Sequence, residues 1–157
     1  MYLIGFDLST THIGWCALRD GEYAGHGEVL LRGTFAERMA QASEALDMLC
    51  EDVGDACMAI ETPFVGRNNK TALQLGLMRG LAWAVSLRRF GAPPLEVTPA
   101  EAKLALTGSG AASKQDMMTF ARLQTGVAMG EHAADAYGVG LEAWGRLRME
   151  RMRDVKN

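Results

Sequence analysis

Cysteine is scarce in this sequence of 157 residues, and the way it is placed excludes two kinds of cross-link. The 3 cysteines are odd in number, lack the paired spacing of a zinc site, and lie among apolar residues. They are Cys16, Cys50 and Cys57. Such residues are typical of reduced core thiols in a cytosolic protein. We therefore expect neither a disulfide framework nor a structural zinc ion.

Long apolar runs are also missing from the sequence. No stretch approaches the roughly 18 consecutive apolar residues of a membrane-spanning helix. The first residues lead directly into a strand-like segment, without a basic leader or a cleavage site. We expect a soluble protein that has no membrane association and lies in the cytoplasm.

The third absence is an excess of positive charge. The net charge of -3 argues against a protein that binds nucleic acid over its whole surface. The charges are unevenly placed, because residues 19–62 carry three basic and ten acidic side chains, whereas residues 63–122 carry eight basic and three acidic ones. This asymmetry permits a local phosphate-binding face, although solvated helix faces would give the same pattern.

The order of segments predicts one α/β domain over residues 1–157. Three short apolar runs, at 2–7, 13–18 and 22–30, are separated by turn residues, which indicates consecutive antiparallel strands. Helix-like and strand-like segments then alternate, and a basic helical tail begins at about residue 146. We predict a mixed five-stranded sheet, three antiparallel strands followed by parallel strands, flanked by helices.

Two acidic residues follow strand-like segments. Asp7 ends the apolar run 2–6, and Glu61 ends the run 57–60. The carboxyl edge of parallel strands is the usual position of a site in an open sheet. Each acid also has an ordinary explanation, since aspartates are common in turns and a surface glutamate can end a strand.

His132 and Asp135 lie three residues apart at the start of the last predicted helix, so they share one of its faces. The alternative is a polar residue and an acid that complement the helix dipole. Together with Asp7 and Glu61 they predict a metal site, because carboxylates are preferred ligands of Mg²⁺ and an imidazole also accommodates Mn²⁺. In a two-metal site for phosphodiester cleavage, Asp7 would bridge the ions.

Three segments match the motifs of a known family. Residues 59–80, AIETPFVGRNNKTALQLGLMRG, contain a strand acid, an aromatic loop and the start of a helix. Residues 97–103, VTPAEAK, and 132–136, HAADA, are the other two. Over nearly its whole length the chain resembles the RuvC-type Holliday junction resolvases of the ribonuclease-H-like superfamily. It differs at 5–9, GFDLS, where bacterial members usually have Gly-Ile-Asp-Pro-Gly, which indicates a divergent or phage-type branch.

The resemblance implies which residues act. Its metal ligands would be Asp7, Glu61, His132 and Asp135, holding two Mg²⁺ ions in each site, with Mn²⁺ also supporting activity. A contact with DNA is implied for an aromatic residue that stacks on bases near the crossover, with burial in the core as the alternative. Three loop and helix-start residues are candidate phosphate contacts. Two lysines are implied to lie near the cleaved bond, with solvated helix positions as the alternative. In that order these are Phe64, Arg67, Asn68, Lys70, Lys103 and Lys114.

The resemblance also implies an assembly and a reaction. A homodimer would cut two symmetric strands of a four-way DNA junction, leaving 5′-phosphate and 3′-hydroxyl ends. The helix after the aromatic loop would supply the dimer contact through four apolar residues. They are Leu73, Leu77, Leu81 and Trp83. For a divergent branch, a partnership with a branch-migration motor stays open.

Other functions remain compatible with these residues. A general debranching nuclease would also cut forks and flaps, and a non-catalytic protein would bind junctions and retain the acids only as caps and turns. A third class is an ATP-dependent phosphotransferase or actin-like ATPase, since residues 7–11, DLSTT, resemble a phosphate loop of that superfamily. The length of the chain argues against this last class, which requires two domains around the nucleotide.

Overall fold

The structure, a computed structural model, describes residues 1–51, 53–62 and 69–154. In chain order the elements are β1 (Tyr2–Leu8), β2 (His12–Arg19), β3 (Glu22–Leu30), α1 (Phe35–Leu49), β4 (Ala56–Glu61), α2 (Asn69–Phe90), β5 (Leu95–Val97), α3 (Pro99–Thr107), α4 (Lys114–Thr125) and α5 (Glu131–Asp154). This order is the one that the sequence predicts. Helix α1 ends at Leu49, with Cys50 as its C-cap.

The strands form one mixed sheet in the order β3-β2-β1-β4-β5. Strand β1 is antiparallel to β2, and β2 is antiparallel to β3. On its other side β1 is parallel to β4, which is parallel to β5. The predicted five-stranded arrangement, with three antiparallel strands followed by parallel ones, is confirmed.

Both faces of the sheet are covered, which follows from the alternation of side chains along each strand. In β1, Ile4 and Phe6 are buried against α1 and α2. Leu3, on the opposite face, is buried against α3, α4 and α5. Strand β4 alternates in the same way, with Ile60 on the α1 face and Ala59 on the α5 face. By this alternation Asp7 and Glu61 belong to the face that α5 covers.

Three of the helices begin with a reciprocal capping box. The hydroxyl of a serine or threonine accepts the N–H of the residue three positions later, and the acid at that position accepts the N–H of the cap residue. The pairs are Thr34 with Glu37, Thr98 with Glu101, and Ser113 with Asp116. Local chemistry therefore fixes where α1, α3 and α4 begin.

Helix α5 continues past residue 146, so the predicted basic tail is the last part of a packed helix as far as Asp154. Arg146 joins three elements there. Its Nη1 donates to the carbonyl oxygen of Glu96 in β5 at 2.8 Å. The same guanidinium is 2.8 Å from carboxylate oxygens of Glu101 in α3 and Glu142 in α5. Arg146 is thus a clamp between elements, unlike the exposed arginines that follow it.

The cysteines are free thiols, as expected. Burial raises the pKa of Cys16 and of Cys50 to about 12, and that of Cys57 to about 11. A thiol that remains protonated at neutral pH is a poor nucleophile and a poor metal ligand. Within the described ranges, every helix is too short or too polar to cross a membrane.

Glycine at position 5 allows α5 to lie directly against the middle of the sheet. A Cβ atom added to Gly5 would be 2.8 Å from the backbone nitrogen of Gly140 and 3.1 Å from its Cα, and closer still to the carbonyl oxygen of Ala136. Backbone atoms in the middle of a helix cannot move aside as a flexible side chain can. The contact between β1 and α5 therefore requires a residue without a side chain.

We predict that Gly5→Ala lowers the free energy of unfolding by about 1 to 3 kcal/mol, because the added methyl group overpacks this contact. Urea denaturation measures the change. Gly145→Ala is the matched control, since Gly145 is exposed in the same helix and an added Cβ meets nothing within 4 Å. There the free energy of unfolding should rise by roughly 0.5 to 1 kcal/mol. Equal effects at both positions would contradict the close contact.

Candidate metal and nucleic-acid site

The ends of β1 and β4 bring the first two acids together. The parallel register pairs Phe6 with Ile60, so the next residues, Asp7 and Glu61, lie side by side on the face covered by α5. The negative charge of Asp7 contributes to the electrostatics of Glu61. The two acids that end strand-like segments in the sequence therefore meet at one edge of the sheet.

The first two turns of α5 bring His132 and Asp135 to the same place. His132 Nδ1 is 2.7 Å from Asp7 Oδ2, a hydrogen bond between residues 125 positions apart. Gly14, which is opposite Asp7 in β2, lets the helix approach this closely. A Cβ added to Gly14 would be 2.7 Å from the Cβ of His132. All four predicted ligands thus converge on one region.

A cavity of about 290 Å³ joins these side chains to three helices. The two lysines that the sequence pointed to, one from α3 and one from the first position of α4, are also part of its wall. The described lining residues are Asp7, Ser9, Glu61, Pro99, Ala102, Lys103, Lys114, Met117, Glu131, His132 and Asp135.

The carboxyl groups of the cavity perturb one another. Burial, followed by the charges of Asp7 and Asp135, raises the pKa of Glu61 to about 8. Burial and then the charge of Asp7 raise the pKa of Asp135 to about 6. The hydrogen bond to Asp7 is the main reason that the pKa of His132 is raised. Several carboxyl groups that lie together in a partly desolvated cavity, with raised pKa values, are typical of a functional site.

Lys103 and Lys114 supply the positive charge of the cavity. Both lower the pKa of Glu61 and of Asp135, so their ammonium groups act on the carboxyl cluster. Lys114 also forms an ion pair with Glu131 in the first turn of α5. Both lysines therefore lie beside the acids in the wall of the same cavity.

The donor set fits a hard divalent cation. Asp7, Glu61, Asp135 and His132 contribute three carboxyl groups and one imidazole to a wall that also contains Glu131. A cation would relieve the mutual repulsion that adds to burial in raising the pKa of Glu61. Within the described ranges, no group of three or more histidine, cysteine, aspartate or glutamate side chains is already arranged around a metal position. The hydrogen bond of His132 to Asp7 occupies Nδ1, so it leaves Nε2 as the nitrogen that could bind a cation.

Two residues beside the cluster escaped the sequence analysis. The ring of His12 stacks on that of His132, with centroids 4.7 Å apart and planes 17° from parallel. Glu28 Oε1 in β3 accepts the backbone N–H of Ala133 in α5 at 3.1 Å. The sequence did indicate that the N-terminus of α5 lacks a side-chain cap of its own, because the residue before this helix is Gly130. No sequence signal pointed to His12.

Of the remaining predicted DNA contacts, only Lys70 is among the described residues. Phe64, Arg67 and Asn68 lie outside the described residues. Lys70 is exposed in the first turn of α2 and is not among the described residues that line the cavity.

Comparisons with known proteins agree on one family. The model of the family described as crossover junction endodeoxyribonuclease RuvC matches residues 23–142. A protein of this name from Chlorobaculum parvum is 36% identical over 123 residues, which cover 74% of this chain and 65% of that protein. Another, from Anaeromyxobacter dehalogenans, is 37% identical over 107 residues, which cover 68% of this chain and 57% of that protein. This chain thus spans less than two thirds of these two relatives.

Other relatives match over a greater length. The protein of the same name from Chloroflexus aggregans is 33% identical over 150 residues, which cover 90% of this chain and 91% of that protein. Among solved structures, T. thermophilus RuvC in complex with Holliday junction substrate has a TM-score of 0.82 and 22% sequence identity, with 96% of each chain covered. At this identity the structural match supports the fold.

We predict that Glu61→Gln stabilises the protein above pH 8 when EDTA is present. The raised pKa of Glu61 means that its contribution to stability is complete below about pH 4.5 and is lost as the pH rises through about 8. Glutamine resembles the protonated acid, so the variant avoids this loss. The free energy of unfolding should exceed that of the wild type by roughly 1 to 3 kcal/mol above pH 8, and by little at pH 4.5. Urea denaturation across this range measures the difference.

Glu37→Gln is the control of opposite sign. The backbone and hydroxyl of Thr34 lower the pKa of Glu37, so its contribution is present above its unfolded pKa and is lost as the pH falls. This variant should be less stable than the wild type at neutral pH, with the difference fading in acid. If the Glu61→Gln difference were the same at every pH, the raised pKa would be refuted.

Proposed function

This chain belongs to the RuvC family of crossover junction endodeoxyribonucleases, and from that premise we propose that it is a metal-dependent, structure-selective endonuclease that resolves four-way DNA junctions. The observation that carries the proposal is the convergence of Asp7, Glu61, His132 and Asp135 on one cavity together with two lysines. The structural relative from T. thermophilus is bound to a Holliday junction substrate, which supports branched DNA as the substrate class.

The carboxyl groups of Asp7, Glu61 and Asp135 and the imidazole of His132 would hold two Mg²⁺ ions, with Mn²⁺ as an alternative. When bound, such ions activate a water molecule and stabilise the charge of the phosphodiester transition state. Glu61 must release its proton to become a ligand, and its pKa of about 8 makes this release dependent on pH near neutrality. The imidazole of His132 would bind through Nε2, with its Nδ1 still hydrogen-bonded to Asp7.

Lys103 and Lys114 would attract and orient the phosphate next to the cleaved bond. The positive charges of both lysines already reach the carboxyl cluster, so they would also attract a phosphate group next to that cluster. Lys114 can pass from its ion pair with Glu131 to a phosphate oxygen, because both partners are anionic. Hydrolysis by this family would leave 5′-phosphate and 3′-hydroxyl ends.

The segment between β4 and α2 would recognise the branch point. We assign to Phe64 a stacking contact with an unpaired base, a contact that contributes roughly 1 to 3 kcal/mol in other proteins. Arg67, Asn68 and Lys70 would contact backbone phosphates, which position the DNA without selecting a sequence. Their place in the chain, directly after the strand that ends in Glu61, supports this assignment.

Two copies of the chain would act together, because one cavity cannot cut two strands of a junction at once. We propose α2 as the contact. Leu73 and Leu77 are 67% and 47% exposed, whereas Leu81 and Trp83 are partly buried against the chain's own core. Trp83 Nε1 also donates to Glu96 Oε1 at 2.9 Å. The exposed leucines are therefore the better candidates for the contact.

We also propose that residues 1–157 form one nuclease domain, which acts in the cytoplasm.

We predict that Asp7→Asn abolishes cutting of a synthetic four-way junction while retaining its binding. Asparagine keeps the size of the side chain but removes the charge that a cation requires. The assay incubates a junction and a matched linear duplex with Mg²⁺, Mn²⁺ or EDTA, and denaturing electrophoresis resolves the products. The wild type should give paired nicks at symmetric positions in the junction alone, and none in EDTA.

The same assay separates the alternatives. Cutting of forks and flaps as readily as junctions would replace the resolvase with a general debranching nuclease. Tight binding without cutting in any metal would indicate a non-catalytic binder. Full activity of Asp7→Asn would refute the proposed site. Asp47→Asn is a control at a distance from the cavity, since Asp47 in α1 pairs with Arg88 and Arg89, and it should cut normally.

We predict that the double variant Leu73→Glu and Leu77→Glu is a monomer that has lost paired cutting. The glutamates introduced on each copy of α2 would be buried in the contact without partners, and they would repel those of the other copy. Sedimentation analysis of the wild type and the variant measures the assembly. Leu123→Glu, at a leucine that is 74% exposed in α4, should remain a dimer. A wild-type monomer at micromolar concentration in the presence of a junction would contradict the dimer.

A further inference from the structure

The helix that carries two of the proposed ligands begins differently from α1, α3 and α4. Each of those helices is capped by its own serine or threonine. Helix α5 is preceded by Gly130, which has no side chain, although the carbonyl oxygen of Gly130 does accept the N–H of Ala134 at 3.0 Å. The capping group comes instead from another element. Glu28 of β3, 105 positions away, accepts the N–H of Ala133 at 3.1 Å through Oε1.

The cap belongs to a row of residues that crosses three strands. Asp7 in β1 is paired with Gly14 in β2, and Gly14 is paired with Glu28 in β3. The two ends of the row are acids, and both contact the first turn of α5. Asp7 contacts the His132 ring, and Glu28 contacts the Ala133 amide. Between them, the lack of a side chain on Gly14 leaves room for the backbone of His132.

Gly130 fits the same arrangement. A Cβ atom added there would be 2.8 Å from Cδ of Glu28 and 3.0 Å from its Oε2, so a side chain at Gly130 would displace the carboxylate. A negative charge at the N-terminus of a helix is also favourable, since the helix dipole places partial positive charge there. Glu28 itself is absent from the described wall of the cavity.

We propose that Glu28 is a positioning residue, which fixes the first turn of α5 on the sheet so that His132 and Asp135 face Asp7 and Glu61. This inference rests on the proposed metal-dependent function. Outer groups that orient metal ligands typically change metal affinity by about 10- to 100-fold when they are removed. Because Glu28 is exposed and acts through a backbone amide, we expect a value near the lower end.

The test is titration of Mn²⁺ alone, with free Mn²⁺ measured by electron paramagnetic resonance. Glu28→Ala should weaken Mn²⁺ binding by about tenfold. Glu28→Gln, which keeps an acceptor oxygen at the same distance along the side chain, should recover most of the affinity. Junction cutting by Glu28→Ala should return when Mn²⁺ is raised by the same factor. Unchanged Mn²⁺ affinity in Glu28→Ala, or no recovery in Glu28→Gln, would overturn the proposal.

Thr34→Ala is the matched control for a general loss of stability. It removes the side-chain cap of α1, so it should lower the thermal midpoint while leaving Mn²⁺ affinity unchanged. An equal loss of affinity in this variant would show that Glu28 acts only through stability, and would also overturn the proposal.

Hydrogen exchange separates a failure of this inference from a failure of the proposed function. The amide of Ala133 should exchange faster in Glu28→Ala than in the wild type, with or without metal, because its acceptor is gone. If the wild type bound no Mn²⁺, the metal-dependent function would fail, and the ligand-positioning role of Glu28 would fail with it. If the wild type bound Mn²⁺ but the amide of Ala133 exchanged at the same rate in the wild type and in Glu28→Ala, the proposed role of Glu28 would be refuted. The metal-dependent function would stand.

Discussion

The close contact between the backbone of α5 and the central strands is the constraint on which the rest of the structure depends. Gly5 and Gly14 create it, since a Cβ atom at either position would collide with main-chain or Cβ atoms of the helix. The helix thereby carries His132 to hydrogen-bonding distance of Asp7. The cavity lies where Asp7 and Glu61, near the ends of two neighbouring strands, meet the start of this helix.

The clustering of carboxyl groups that the proposed function requires lowers the stability of the folded protein. Burial and mutual repulsion hold Glu61 and Asp135 at pKa values well above those of ordinary carboxyl groups, so ionising both costs the folded protein free energy. A divalent cation would compensate this cost. The lysines of α3 and α4 offset part of it, which makes them components of the electrostatics of the site as well as candidates for phosphate contact.

The sequence predicted the elements and the four acidic and imidazole residues because each depends on local information. Short apolar runs separated by turn residues mark the strands, and residues three apart share a helix face. The stacking of His12 on His132 and the cap from Glu28 could not be obtained in this way. Both depend on strand register and on the distance between α5 and the sheet, which the alternation of residues along one strand does not specify.

The most direct test of the account is anomalous diffraction from crystals of the wild-type protein grown with MnCl₂. The account predicts two manganese peaks roughly 3.5 to 4 Å apart, with Asp7 between them and oxygen or nitrogen atoms of Glu61, His132 and Asp135 as the remaining protein ligands. Absence of manganese from this cavity at saturating concentration, or manganese bound only elsewhere on the chain, would contradict the account.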